Sequence, residues 1–357
     1  MAGFPPSDLK QAWGLPSRVR PIVVIGAGSI VRDAHLPAYA RLGFPVAGIF
    51  DVNAEAARER AAAFGVARVF ESLADAVAQS GAVFDLAVPP AAIAEILQRL
   101  PDGAAVLMQK PMGRDLDEAR IIRDICHRKR LTAAVNFQLR FAPNMLALRD
   151  AIDRGVLGEI TDVEVRLNLH TPWGYWAFLR GVPRLEVLMH SIHYVDLVRS
   201  LIGEPRGVYA RGARYPGLDG YPDVRTGIIL DYGDELRCSL MMNHTHEFGP
   251  DEAVSQIKVE GTKAAAIAKM GVNLNYPHGE PDELRIAERG SAAWISVSLR
   301  GSWFTEAFEG PMSNLQRVVA GEDAALVSGV DDAFRTMAVV EACYASSAGG
   351  GTPVPEE

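Results

Sequence analysis

The run Pro21-Ile22-Val23-Val24-Ile25-Gly26 constrains this chain more than any other segment. Four consecutive β-branched apolar residues read as a strand buried on both faces. Gly26-Ala27-Gly28-Ser29-Ile30-Val31 follows at once and leads into a helix-like stretch broken by Pro37. A buried strand feeding a glycine turn and then a helix opens a right-handed βαβ crossover. The pattern repeats: Val46–Phe50 ends on Asp51, and Asn53 can cap an alanine-rich helix over Ala54–Phe64. Val83–Val88 is stopped by Pro89-Pro90 before a helix over Ala91–Leu100, and Ala105–Met108 ends at Gln109-Lys110-Pro111. A helix over Asp115–Arg128 and a strand over Thr132–Asn136 continue the alternation, which predicts an α/β Rossmann domain, a doubly wound parallel sheet, over residues 1–140.

After Arg140-Phe141-Ala142-Pro143 the pattern changes. A helix over Asn144–Arg154 leads to predicted strands at Glu159–Leu169, Gly207–Ala213, Gly227–Tyr232, Glu235–His246 and Ser255–Glu260, with turn chemistry such as Asp231-Tyr232-Gly233-Asp234 between them. Successive strands without intervening helices predict an α+β domain with a large, mostly antiparallel open sheet over residues 141–357, closed by a helix near 330–346. A chain of 357 residues exceeds the usual reach of one core, which agrees with two domains.

Charge and cysteines narrow the partners. With 36 Lys+Arg against 44 Asp+Glu, the net charge of −8 offers no basic footprint for nucleic acid. Cys126, Cys238 and Cys343 show no CxxC spacing, which argues against a disulfide scaffold or a cysteine-based zinc module. The first twenty residues are polar and proline-interrupted, and no apolar run approaches the ~20 residues a bilayer span needs. The expectation is a soluble, cytoplasmic protein with a small-molecule substrate.

The glycine turn has a physical use. Gly26 permits the tight turn, and Gly28 lets the backbone approach a pyrophosphate lying on the helix N-terminus. The third position of G-x-G-x-x-G is Val31. Asp51 stands 23 residues beyond Gly28, at the end of the second strand, where a carboxylate can accept from both ribose hydroxyls and repel a 2′-phosphate. No Arg or Lys occurs among Val52–Ala57, so NAD is favoured over NADP. The competing reading of Asp51 is a turn or capping residue.

The Gly26–Val31 loop, Lys110-Pro111, Arg140-Phe141-x-Pro143 and His193-x-x-Asp196 stand in the order seen in the glucose–fructose oxidoreductase/inositol dehydrogenase (Gfo/Idh/MocA) family, which this chain resembles from Arg20 to Thr352. The resemblance implies a Rossmann domain, an open-sheet domain that pairs copies into a homodimer or homotetramer, and NAD(P)-dependent oxidation or reduction at a carbinol carbon of a sugar, cyclitol or glycoside. Lys110 matches the lysine beside the nicotinamide and the reacting hydroxyl, and His193 matches the catalytic histidine. Ser29, Ile30, Val88, Pro89 and Gln138 are expected to join Gly26, Gly28, Asp51 and Lys110 around the cofactor. Three positions depart from the family pattern. Gln109 replaces a glutamate, Met189 an aspartate, and Pro89-Pro90-Ala91-Ala92-Ile93 lacks a histidine. The same family contains redox-assisted glycosidases and lyases, and dinucleotide-bound regulators with a disabled catalytic set.

Residue chemistry supplies the other candidates. A secondary alcohol losing hydride needs a base and a group that stabilises the alkoxide; histidine and lysine suit these tasks near neutrality. Leu188–Ile202 reads as a helix ending at Gly203, and at about 100° per residue Glu186, His190 and His193 share one face when it is extended back a turn. His190 or Glu186 could then take the orienting role that Met189 cannot fill; capping and surface hydrogen bonding are the plain alternative. His244 and His246 alternate and are expected on one sheet face, where they could bind substrate hydroxyls. A metal site uniting them with His190 or His193 is chemically possible, but no spacing enforces convergence, so plain structural roles are favoured and no metal is assigned. Tyr175 and Trp176, after Trp173-Gly174, could stack on a sugar ring or pack against the domain. Arg140 could bind substrate or form an interdomain salt bridge.

Overall fold

The structure is a computed structural model that describes residues 8–276 and 278–355. The described chain divides into two compact units. One comprises Gln11–Leu146 and Gly301–Met337, and the other the described parts of Met1–Lys10, Ala147–Arg300 and Ala338–Glu357. Segment Gly301–Met337 thus returns to the first unit, which a single cut after residue 140 does not anticipate. The returning helix begins Glu309-Gly310-Pro311 and places Met312, Leu315 and Val319 on one face. A Cβ on Gly310 would sit 2.3–2.5 Å from Phe141 side-chain atoms, so only glycine lets the helix backbone settle on that side chain.

In the first unit β1 (Ile22–Ile25), β2 (Val46–Phe50), β3 (Val83–Leu86), β4 (Ala105–Met108) and β5 (Thr132–Val135) form a parallel sheet in the order β2-β1-β3-β4-β5. Val69 adds one parallel bridge to Ile49. β1, β3 and β4 are buried along their whole length, as the unbroken apolar runs require. Five helices alternate with the strands: α1 (Leu36–Leu42), α2 (Ala54–Phe64), α3 (Leu73–Val77), α4 (Pro90–Arg99) and α5 (Leu116–Arg128). Asn53 caps α2 by accepting from the backbone N–H groups of Glu55 and Ala56, as the sequence suggests. β2 and β3 flank β1 on either side, so the chain from β2 to β3 crosses back past β1 and the strand order reverses there. That switch point creates the crevice at the carboxyl ends of the strands where such sheets bind ligands.

In the second unit, which α6 (Pro143–Asp153) enters, β6 (Ile160–Asn168), β7 (Gly207–Ala213), β8 (Arg225–Asp231), β9 (Arg237–Asn243), β10 (Val254–Gly261), β11 (Ala264–Lys269), β12 (Glu283–Glu288) and β13 (Ile295–Ser296) form one sheet in the order β13-β12-β11-β10-β6-β9-β8-β7. Only β6 and β9 pair in parallel; the remaining pairs are antiparallel. Burial alternates along β8, β9 and β10, the mark of a sheet with one covered face. Helix α7 (Ile192–Ile202) continues a wide π-type turn over Glu186–Ser191. The helix of the returning segment is α8 (Glu309–Val319), and α9 (Val330–Gly349) closes the described chain. The three strands β11 to β13 have no counterpart in the expectations. β11 is Ala-Ala-Ala-Ile-Ala-Lys, and alanine has weak strand preference.

Candidate functional site

Every cofactor residue expected in the first unit lies on the carboxyl edge of its parallel sheet. Gly26 follows β1 with φ +114°, and a Cβ there would lie 2.2 Å from the Ala87 carbonyl oxygen, so the loop demands glycine on two counts. Gly28 is different: a Cβ there would meet no protein atom within 4 Å. What glycine keeps open at Gly28 is the outer side of the loop, at the start of the helix, where a pyrophosphate fits. Val31 is fully buried where the dinucleotide motif has its third glycine.

Asp51 closes this end. Its Oδ2 accepts from the Ala27 N–H at 2.6 Å and its Oδ1 from the Asn53 N–H at 2.7 Å. The turn role is thus filled, and it leaves room for the ribose role. Each oxygen retains accepting capacity for a hydroxyl while the glycine loop fixes its position. Ser29 is exposed, Ile30 and Val88 are half-buried, and Pro89 precedes α4 at the end of β3. Gln138, just beyond β5, is buried, and its Oε1 has no hydrogen-bond partner among the described residues. An orphaned acceptor at this edge, with the open loop at Gly28 and the pinned Asp51, fits a dinucleotide.

Lys110 follows β4 and is half-buried; burial lowers its ammonium pKa from 10.5 to about 8. Beside it, Gln109 Oε1 accepts from the Asn136 side-chain amide at 3.0 Å, and the same Nδ2 lies 3.2 Å from His35 Nε2. His35 Nδ1 meets Asp85 Oδ2 at 2.7 Å, and the Tyr39 hydroxyl donates to that oxygen at 2.8 Å. Burial first, and Asp85 second, hold the Tyr39 phenol well above its ordinary pKa. Sequence reasoning missed this network, although one signal was available: Asp85 is a carboxylate inside a strand buried on both faces. Arg140 is anchored beside the returning segment. Within its own unit its guanidinium donates to the Val327 carbonyl at 2.8 Å and to Asp332 Oδ2 at 2.6 Å.

In the second unit the expected helix face is rearranged. Because Glu186–Ser191 is a wide turn, Glu186 Oε1 accepts from the Ser191 hydroxyl and meets His244 Nε2 at 3.2 Å. The rings of His190 and His244 cross at 80° with centroids 4.3 Å apart. Donor atoms of Glu186, His190 and His244 lie within 4.8 Å of one another. Two histidines and a carboxylate thus converge despite the absence of any enforcing spacing, and His193 stands outside this trio, buried near the start of α7.

His246 also departs from expectation. β9 ends at Asn243, so the alternation stops before His244 and His246, and the two rings do not share partners. His244 Nδ1 lies 2.7 Å from the Thr171 hydroxyl, whereas His246 Nδ1 faces Asn168 Nδ2 at 3.2 Å. Asp223 accepts from the Leu185 and Glu186 N–H groups, and burial, helped by Glu186, raises its carboxyl to about 6. Trp173 is buried, with its ring 5.3 Å from that of His244. Trp176 is half-buried and Tyr175 exposed. Both rings stand near Tyr276, at 5.2 and 6.0 Å between centroids, and Tyr276 was not among the expected residues.

Comparison with known proteins agrees with this architecture. Residues 20–137 match the model of the oxidoreductase family with an NAD-binding Rossmann fold, and residues 145–267 match the GFO/IDH/MocA C-terminal domain. D-apiose dehydrogenase of Paraburkholderia graminis is 25% identical over 343 residues, covering 92% of this chain and 88% of that protein. Inositol 2-dehydrogenase of Rhizobium meliloti is 27% identical over 192 residues, 52% of this chain and 56% of that one. The structure of levoglucosan dehydrogenase with NADH and levoglucosan superposes with a TM-score of 0.77 at 18% identity, covering 93% and 98% of the two chains. The chain belongs to the Gfo/Idh/MocA family of NAD-binding oxidoreductases.

Proposed function

We propose that this enzyme is an NAD-dependent dehydrogenase acting on a secondary alcohol of a sugar, cyclitol or glycoside. The observation that carries this reading is the carboxyl edge of the first sheet, where Gly26, Gly28, Asp51, Gln138 and Lys110 stand together at the ends of their strands. When bound, NAD+ accepts the hydride of the carbinol carbon. Asp51 holds the adenosine ribose and disfavours a 2′-phosphate. Lys110 places a positive charge against the developing alkoxide; its pKa near 8 leaves it largely charged at neutral pH while easing proton exchange. His193 takes the hydroxyl proton, an assignment supported by its place in His193-x-x-Asp196. Trp176, Tyr175 and Tyr276 offer aromatic faces for the C–H face of a sugar ring. The names of the related enzymes, a D-apiose and an inositol dehydrogenase, support the substrate class.

The test is a panel of cyclitols, aldoses and glycosides incubated with NAD or NADP, with NADH absorbance and product release followed together. Net NADH formation, lost in Lys110→Ala and His193→Ala, is the expected result. Bond cleavage without net NADH would transfer the assignment to the redox-assisted chemistry of the family. Cofactor binding with neither outcome would indicate a regulator.

A further inference from the structure

We propose that Glu186, His190 and His244 bind one divalent transition-metal ion of the zinc class. Two imidazole nitrogens and one carboxylate form a borderline donor set, suited to Zn2+ or Co2+ and poorly suited to Mg2+ or Ca2+, which take oxygen ligands. Spacing agrees. Ligands about 2.0–2.1 Å from a tetrahedral ion stand about 3.3 Å apart, and Glu186 Oε1 and His244 Nε2 are 3.2 Å apart. All three donors already lie within 4.8 Å, and His190, the least buried of the three, can close the remaining distance by rotating its ring.

The surroundings also suit an ion. Thr171 Oγ1, 2.7 Å from His244 Nδ1, can accept its N–H and turn the Nε2 lone pair toward Glu186. Ser191 holds Glu186 Oε1. Glu186 Oε2, on a fully buried side chain, has no hydrogen-bond partner among the described residues. A buried carboxylate oxygen without a donor is costly, and a cation between it and two imidazoles removes the cost. Three protein ligands leave a fourth position open, the arrangement of catalytic rather than structural sites. His190 stands three residues before His193. On the dehydrogenase reading, an ion here would polarise a substrate hydroxyl beside the base.

The full chain, dialysed against a chelator, is titrated with Zn2+ by calorimetry and with Co2+ by visible absorption, and its residual metal is counted by mass spectrometry. Expected are one ion per chain, micromolar affinity or tighter, ligand-field bands with Co2+, and a loss of about 10–100-fold in affinity in both His190→Gln and Glu186→Gln. His190→Gln changes a half-buried side chain and retains the fold by circular dichroism. His127→Gln, at an exposed histidine of α5, leaves uptake unchanged and identifies surface binding. No saturable uptake, or uptake equal in both cluster variants and the parent, overturns the site. NADH formation is read separately. Equal rates with and without bound ion overturn the catalytic role while the ion count stands, and no NADH formation in either form counts against the dehydrogenase reading alone.

Discussion

Asn136 donates to Gln109 at 3.0 Å and stands 3.2 Å from His35 Nε2, so the residue before Lys110 is tied to a buried His35–Asp85 pair. The partners define the protons: Asp85 accepts from His35 Nδ1–H and from the Tyr39 hydroxyl, and His35 Nε2 accepts from Asn136. Asp85 Oδ1 and Asn136 Oδ1 are buried without a hydrogen-bond partner among the described residues.

Asp85→Ala removes the shared acceptor and leaves a buried N–H and a buried O–H unpaired, at about 1–3 kcal/mol each. A fall in stability of about 2–5 kcal/mol is expected in urea unfolding, with Tyr39→Phe costing about 1 kcal/mol by comparison. Equal midpoints for Asp85→Ala and the parent would mean that the network carries no stability.

Lys110 has a pKa lowered from 10.5 to about 8 by burial. Below pH 8 the folded chain carries this charge at a cost that the unfolded chain does not bear. Between 8 and 10.5 the unfolded chain binds more protons, so stability rises with pH and the cost fades. In the absence of dinucleotide, Lys110→Met is therefore expected to be more stable at pH 7 by about 1–3 kcal/mol. The difference narrows as the pH passes 8. A variant no more stable than the parent at pH 7 would show that the ammonium is not penalised by burial.

Much of this was legible in the chain itself, and the misses have physical causes. The Ile22–Ile25, Val83–Leu86 and Ala105–Met108 strands were readable because full burial leaves no polar residues to blur them, apart from Asp85. The tight turn at Gly26 and the turn reading of Asp51 were readable because both are set by backbone within the same unit. α8 was not, since its burial depends on Gly310 meeting Phe141, a contact between residues far apart in sequence. The Glu186–His244 contact was hidden for the same reason: the wide turn at Glu186–Ser191 breaks the 100° spacing, and His244 arrives from beyond the end of β9. Arg140 illustrates the limit of residue type, because an arginine in a loop reads equally as ligand or anchor.

The anchor can be tested. With its side chain 6% exposed, Arg140 pairs with Asp332 at 2.6 Å. Removing one partner of such a pair costs about 3–5 kcal/mol. Arg140→Ala is expected to lower the thermal midpoint sharply, and Asp332→Ala to lower it similarly, with little change in substrate KM for the protein that remains folded. A raised KM at an unchanged midpoint would return Arg140 to the substrate.

Asp51 offers a readout that stability does not move. Its two oxygens are held by Ala27 and Asn53, so Asp51→Ala removes ribose recognition and one tie to the glycine loop together. Losing hydrogen bonds to a charged acceptor weakens NAD binding by about 1.5–3 kcal/mol, roughly 10–150-fold in Kd. NADP binding should change far less, because relief of charge repulsion offsets the loss. Isothermal titration of both dinucleotides checks this, and equal losses for the two would show that Asp51 serves the loop alone.

The uncovered face of the second sheet supplies the last test. Tyr209, Ile229 and Met241 are 65%, 51% and 53% exposed on the neighbouring strands β7, β8 and β9. Tyr209 and Ile229 are directly paired across the strands, and Met241 lies against Gly227, its sulfur and methyl 3.4 Å from where a Cβ would stand. The missing side chain at Gly227 lets the methionine lie across β8 and joins the three residues into one apolar strip. Apolar strips of this kind mark association surfaces, and the pairing of copies expected from the family resemblance would cover it. Ile229→Asp places a charge at its centre and is expected to shift the chain from a dimer or tetramer to a monomer by light scattering, with the circular dichroism spectrum unchanged. A parent chain that already sediments as a monomer at micromolar concentration would show that the strip is not a self-association surface.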